Sequence, residues 1–143
     1  MTEGPKSKTP TKVVRVLQVE DVETDAELIL HHLRRCGLTL DSSRVWTEAD
    51  FLEALATFVP NIILSDYSMP AFDGLRALGL VRERAPGTPF IFVSGSIRPQ
   101  DASDALKNGA FDFLLKDDLT RLGPAVEKAV GGVRGQDTPG TDT

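Results

Sequence analysis

Four apolar runs in this chain each end in a residue able to do chemistry. Val13–Val19 runs into Glu20-Asp21, and Ile62-Ile63-Leu64 is followed after one serine by Asp66. Phe90-Ile91-Phe92-Val93 runs into Ser94-Gly95, and Phe113-Leu114-Leu115 ends in Lys116. Short apolar runs that stop at a polar residue and then at turn formers read as buried strands with functional groups at their carboxyl tips. In an open α/β sheet those tips are where ligands sit. Three acids, a hydroxyl and a lysine at four such tips suit a divalent cation and a phosphoryl group. Crowded carboxylates are costly unless a cation neutralises them. The hard oxygens of Glu20, Asp21 and Asp66 suit Mg²⁺, which keeps several waters and bridges to phosphate. A carboxylate can also attack phosphorus and hold the phosphoryl group as an acyl phosphate, and Asp66 is the candidate nucleophile. Lys116 would bring a fixed cation to a group carrying about −1.5 to −2 at neutral pH. Ser94 would donate its hydroxyl to a phosphoryl oxygen.

The elements that must position these residues follow from spacing. Ala26, Ile29, Leu30 and Leu33 recur at i, i+3, i+4, i+7, which predicts a helix opened by a capping box of Thr24 and Glu27 and stopped at Gly37. A second strand is expected at Arg44-Val45-Trp46, with Trp46 as a core or edge residue. Thr47 then caps a helix whose apolar face is Phe51, Leu52, Leu55 and Phe58, and Pro60 marks its exit. Leu75, Leu78 and Val81 predict a third helix ending before Pro86, entered through Asp73-Gly74, where the glycine is expected to supply backbone freedom. Pro99 suits the first turn of a fourth helix carrying Ala102, Ala105 and Leu106 and stopped at Gly109. Leu119, Leu122, Val126, Ala129 and Val130 give the last. Strands 1, 3 and 4 are apolar on both alternating faces, as in a parallel sheet covered by helices on both sides. Five such units predict a single-domain α/β fold, flavodoxin-like and doubly wound, with five helices and a five-stranded parallel sheet in the order 2-1-3-4-5. Its ligand crevice would lie at the carboxyl ends of strands 1 and 3, where the acids are.

Composition bounds the answer further. At 143 residues, 41% hydrophobic and 26% charged, the chain fits one soluble domain with a proper core. A net charge of −5 with scattered Lys and Arg argues against a nucleic-acid surface. No apolar run approaches the ~20 residues of a membrane span, and the polar N-terminus lacks a signal-peptide core. Cys36 is the only cysteine and is expected to face the core, which with the preceding points suggests a cytoplasmic setting. Residues 1–11 and 131–143 have nothing to bury and read as a disordered arm and tail around a domain at 12–130. His31-His32 is a surface pair, since adjacent helical positions do not face each other.

Taken in order, Glu20-Asp21, then Asp66 with Met69-Pro70 and Asp73-Gly74, then Ser94-Gly95, then Lys116, the chain resembles the receiver domain of two-component response regulators over about residues 13–130. The resemblance implies phosphorelay signalling. Asp66 would accept a phosphoryl group, with Mg²⁺ held by Glu20, Asp21, Asp66 and the backbone carbonyl of Ser68. Ser94 and Lys116 would bind the phosphoryl oxygens. Ser94 and Phe113 would form the switch, with the aromatic turning inward into space the hydroxyl leaves. Ser68 and Ser96 would tune hydrolysis by controlling water access. The donor would be a phosphohistidine protein, either a sensor histidine kinase or a histidine phosphotransfer protein. Output would reach a downstream protein through the surface formed by residues 99–130, with no nucleic acid or membrane as partner. One departure stands out: the family usually has Pro after the lysine with a cis bond, and here Lys116 is followed by Asp117-Asp118.

Such a domain is not an enzyme in the ordinary sense, since it catalyses only its own phosphorylation and dephosphorylation. A receiver piece of a larger hybrid kinase or regulator is an alternative. An aspartate-nucleophile phosphatase is another, but those enzymes need a second Asp two residues past the nucleophile as acid/base, and that position is Ser68. A receiver used only for docking is disfavoured by the complete set of site residues.

Overall fold

The structure, a computed structural model, describes residues 13–137. Five strands alternate with helices: β1 (Val13–Val19), α1 (Glu23–Arg35), β2 (Thr39–Val45), α2 (Glu48–Thr57), β3 (Ile62–Ser65), α3 (Gly74–Arg84), β4 (Phe90–Ser94), α4 (Pro99–Lys107), β5 (Asp112–Leu115) and, after a 3₁₀ turn at Leu119–Arg121, α5 (Leu122–Asp137). All pairings are parallel and the sheet order is β2-β1-β3-β4-β5. This is the doubly wound fold expected from the strand and helix periods.

The two faces of the sheet bury different side chains. Ile63, Phe90, Phe92 and Phe113 point to one side, where they pack with Phe51 of α2, Leu78 and Val81 of α3 and Ala105 of α4. Ile62, Leu64, Ile91, Val93 and Leu114 point to the other and meet Ile29 and Leu33 of α1 and Leu122 and Val126 of α5. Strict alternation along strands buried on both faces produces this division. Phe90, Phe92, Phe113 and Tyr67 form a continuous aromatic cluster, with neighbouring centroids 4.9–5.3 Å apart. Gln18 lies among the apolar residues of β1 at 1% exposure and is satisfied by donating to the carbonyl of Ala26 in α1 (3.1 Å).

Several local expectations need correction. The second strand is longer and earlier than Arg44-Val45-Trp46. β2 pairs with β1 residue for residue from Val13↔Thr39 to Val19↔Val45. Being an edge strand, it buries only Val45, so its polar run Asp41-Ser42-Ser43 carries no apolar signal. Trp46 falls just outside it, 40% exposed, with the Arg44 guanidinium 4.5 Å from its ring centroid. α1 begins at Glu23, without the Thr24–Glu27 box and without any side-chain cap. The amide of Val22 donates to Glu20 Oε2 instead (3.1 Å), which turns the chain into the helix early. Glu23 and Asp25 in the first turn complement the helix dipole.

Cys36 is exposed rather than core-facing. Gly37 does end the first helix, with φ +96°. Leu106 of α4 is 47% exposed, because only the Ala105 side of that short helix meets the sheet. α5 continues to Asp137, seven residues into the expected tail, while residues 1–12 and 138–143 lie outside the described residues. Thr47 caps α2 by accepting from the amide of Asp50, as its sequence position implies. No helix of the described residues is long and apolar enough to cross a membrane.

Candidate functional site

Register brings the site together. Val19 pairs with Ser65 across β1 and β3, so Glu20 and Asp66 leave the sheet side by side, and the Asp66 amide donates to the carbonyl of Val19 (2.9 Å). On the other side Ser94 pairs with Leu115, and the Lys116 amide donates to the Ser94 carbonyl (2.7 Å). The central strands β1 and β3 therefore present the acids, and β5 swings its lysine across from the flank. The strand order reverses at this point, which opens a crevice at the carboxyl edge.

The Lys116 ammonium sits among three carboxylates: Asp25 Oδ2 at 2.8 Å, Glu20 Oε1 at 2.9 Å and Asp66 Oδ2 at 3.2 Å. The second oxygen of Glu20 accepts from the Val22 amide, and the second oxygen of Asp66 accepts from the Tyr67 amide at 2.7 Å. Each of these two acids is thus aimed by one backbone N–H and one shared cation. Glu20 is nearly fully buried. Burial pushes its carboxyl above the usual carboxylate range, against the opposing pull of Lys116 and the Val22 amide. For Lys116, burial works against the charged form, but hydrogen bonds to Asp25 and Glu20 and the charge of Asp66 outweigh it. The ammonium is held above the ordinary lysine range and stays charged at any physiological pH.

Asp21 completes the acidic cluster. One carboxylate oxygen each from Glu20, Asp21 and Asp66 lies within 4.8 Å of the others. Ligands about 2.1 Å from an octahedral Mg²⁺ stand no more than about 4.2 Å apart, so the cluster fits such an ion after small side-chain adjustments. With Asp25 the site holds four carboxylates and one ammonium, a surplus of negative charge that a divalent cation would largely offset.

The other expected residues lie around this centre. Ser94 is buried at the end of β4 and tied to Lys116 through its backbone. Ser68 and Ser96 are both exposed, in the loops after β3 and β4. Phe113 is 6% exposed and already packed inward, 5.3 Å from the rings of both Phe92 and Tyr67. The peptide bonds of the described residues, Lys116–Asp117 among them, are all trans.

Gly74 is needed for a different reason from the one its position after Asp73 suggests. Its φ is not positive. Instead, a Cβ there would stand 2.6 Å from the Asp66 carbonyl, 2.8 Å from the Phe92 ring and 2.9 Å from the Tyr67 carbonyl. The N-terminus of α3, capped by Asp73, is pressed directly onto the loop that carries Asp66.

Two residues escape a reading by motif. Asp25, on the first turn of α1, reaches Lys116 across 91 positions of sequence. No local spacing announces it, since Asp21, four residues earlier, precedes the helix. Tyr67 closes the aromatic cluster from beside Asp66, which no pattern of types announces.

Comparison with known proteins agrees with this geometry. Residues 16–127 match the response regulator receiver domain family. The chain is 37% identical over 126 residues to the DNA-binding transcriptional regulator NtrC of Escherichia coli strain K12, covering 87% of this chain and 26% of that protein. It is 32% identical over 113 residues to the regulatory protein LuxO of Vibrio cholerae, covering 78% of this chain and 24% of that one. It thus spans about a quarter of the length of these curated relatives. Among solved structures, the signal receiver domain of the putative response regulator NarL from Mycobacterium tuberculosis superposes with a TM-score of 0.74 at 30% identity, over 86% of this chain and 99% of that one.

Proposed function

The chain belongs to the response regulator receiver domain family, a module of two-component phosphorelay signalling, and on that premise we propose that Asp66 is its phosphoacceptor. The observation that carries the reading is the Lys116 ammonium held between Glu20 and Asp66 at the reversal point of the sheet, with Asp21 beside them. An Asp66 carboxylate oxygen attacks the phosphorus of a phosphohistidine on a sensor kinase or phosphotransfer protein. The P–N bond breaks, its electron pair leaves with the imidazole, and a mixed anhydride forms on Asp66. Glu20, Asp21, Asp66 and the Ser68 carbonyl would hold Mg²⁺, which would supply positive charge to offset that of the carboxylates and of the phosphoryl group. Lys116 and the Ser94 hydroxyl bind the remaining oxygens. The reaction takes place in the cytoplasm, where such donors work, and the product is a changed surface for a downstream protein. A phosphatase would need an acid where exposed Ser68 stands, and Ser68 offers none. Incubation with acetyl phosphate and Mg²⁺, followed by intact mass, tests the assignment. One phosphoryl group should be gained, and none in the presence of chelator; labelling that ignores the chelator would refute it.

A further outcome follows from the loops. Ser68 and Ser96 are small and exposed, so neither screens the acyl phosphate from water. Ser68→Arg is expected to slow its decay several-fold by crowding the open side, read as loss of label over time after donor removal. An unchanged decay rate would show that water reaches phosphorus by another route.

Transmission is proposed to run from Ser94 through Phe113 and its ring partner Tyr67 to α4. Phe113 already stands inward here, so the change is a repacking of this cluster rather than a swing of one ring. A hydrogen bond to a charged oxygen contributes about 1.5–3 kcal/mol, roughly a ten- to hundredfold bias between two packings. NMR spectra with beryllofluoride should show shifts reaching Pro99–Lys107, and Ser94→Ala should suppress that spread while Mg²⁺ still binds. Shifts confined to the neighbourhood of Asp66 would rule this route out.

A further inference from the structure

We propose that Asp25 is a positioning residue that keeps the Lys116 ammonium over the phosphoacceptor while its other two partners are drawn away. The inference rests on Asp66 being phosphorylated with Mg²⁺, as proposed above.

An ammonium has three N–H donors, and Lys116 has three carboxylates within 3.2 Å: Asp25, Glu20 and Asp66. Two of these have other work. Glu20 and Asp66 belong to the acidic cluster that fits a divalent ion, and Asp66 is the nucleophile. A cation of charge +2 drawn into that cluster competes for their oxygens and repels the ammonium. Asp25 is outside the cluster, and no other hydrogen bond of its carboxylate is required by the chemistry.

It also makes the shortest of the three contacts. The helix beneath it is rigid: the next residue, Ala26, is 2% exposed, with Ile29 and Leu33 buried behind it and the Ala26 carbonyl tied to Gln18 of β1. A carboxylate in the first turn of a helix is also favoured by the dipole. Asp25 is therefore a fixed anchor, joining α1 to the loop after β5. Lys116 pivots on it, giving up Glu20 and Asp66 and turning its freed donors to the phosphoryl oxygens.

The test is a double-mutant cycle on the full chain, read as the rate of Asp66 labelling by acetyl phosphate at saturating Mg²⁺. Asp25→Asn and Asp25→Ala should each slow labelling roughly three- to tenfold, a modest figure because the Asp25 side chain is partly exposed and screened. Asp25→Glu should recover part of the rate. In a Lys116→Met background, which is slow already, Asp25→Asn should cause no further loss, because the anchor has nothing left to hold. A merely structural role would instead slow both backgrounds equally and lower the melting temperature alongside. Equal loss in the two backgrounds, or wild-type labelling by Asp25→Asn, overturns the proposal and leaves the Asp66 assignment standing. A wild-type protein that takes no label on Asp66 overturns both.

Discussion

Asp66→Asn should reduce Mg²⁺-dependent labelling by acetyl phosphate by roughly 10⁴-fold or more, the scale at which loss of a covalent nucleophile is felt. The amide is nearly isosteric with the carboxylate, can still accept from the Tyr67 amide, and leaves Glu20, Asp21 and Lys116 in place. What it lacks is the anionic oxygen that would attack phosphorus. The fold should not suffer. Removing one negative charge from a site that holds four carboxylates and one ammonium relieves repulsion, so the melting temperature should be unchanged or slightly raised in the absence of Mg²⁺. A variant that takes up label at the wild-type rate would place the nucleophile elsewhere; one that loses both label and stability would point to a structural role.

Gly74→Ala should destabilise the fold by about 1–3 kcal/mol or more, the usual cost of forcing atoms into a packed site. The added methyl has no free direction. Two of its three nearest neighbours are backbone carbonyls, at 2.6 and 2.9 Å, and the third is the Phe92 ring at the centre of the aromatic cluster. Rigid atoms cannot yield by a rotamer change, so either α3 or the 66–73 loop must shift. For a domain of this size the melting temperature should fall by about 3–10 °C or more. Because the shifting loop carries Asp66, labelling should slow as well. Gly79, one and a half turns further along the same helix, has no atom within 4 Å of its would-be Cβ. Gly79→Ala should therefore stabilise by about 0.5–1 kcal/mol, the helical preference of alanine over glycine. Thermal melts of the two variants should move in opposite directions. If they move together, helix propensity rather than close packing governs Gly74.

The sequence by itself determined what depends on runs and local spacing. Strands buried on both faces announce themselves as unbroken apolar stretches, and their abrupt polar ends placed Glu20, Asp66, Ser94 and Lys116 at one edge of the sheet before any coordinates were needed. Thr47 and Pro99 marked helix starts because caps and fixed φ are local chemistry. Only the tertiary structure decided what depends on neighbours distant along the chain. β2 was hidden because an edge strand is held by backbone hydrogen bonds to β1 and buries little side chain. Cys36 and Leu106 proved exposed because helical spacing tells which residues share a face but not how wide a face the sheet will cover. Gly74 looked like a turn residue, yet the constraint on it comes from the Asp66 loop and β4, which no local rule contains. Asp25 needed the fold most of all, since a carboxylate on α1 meets a lysine 91 residues away only when parallel register brings five strand ends to the same edge.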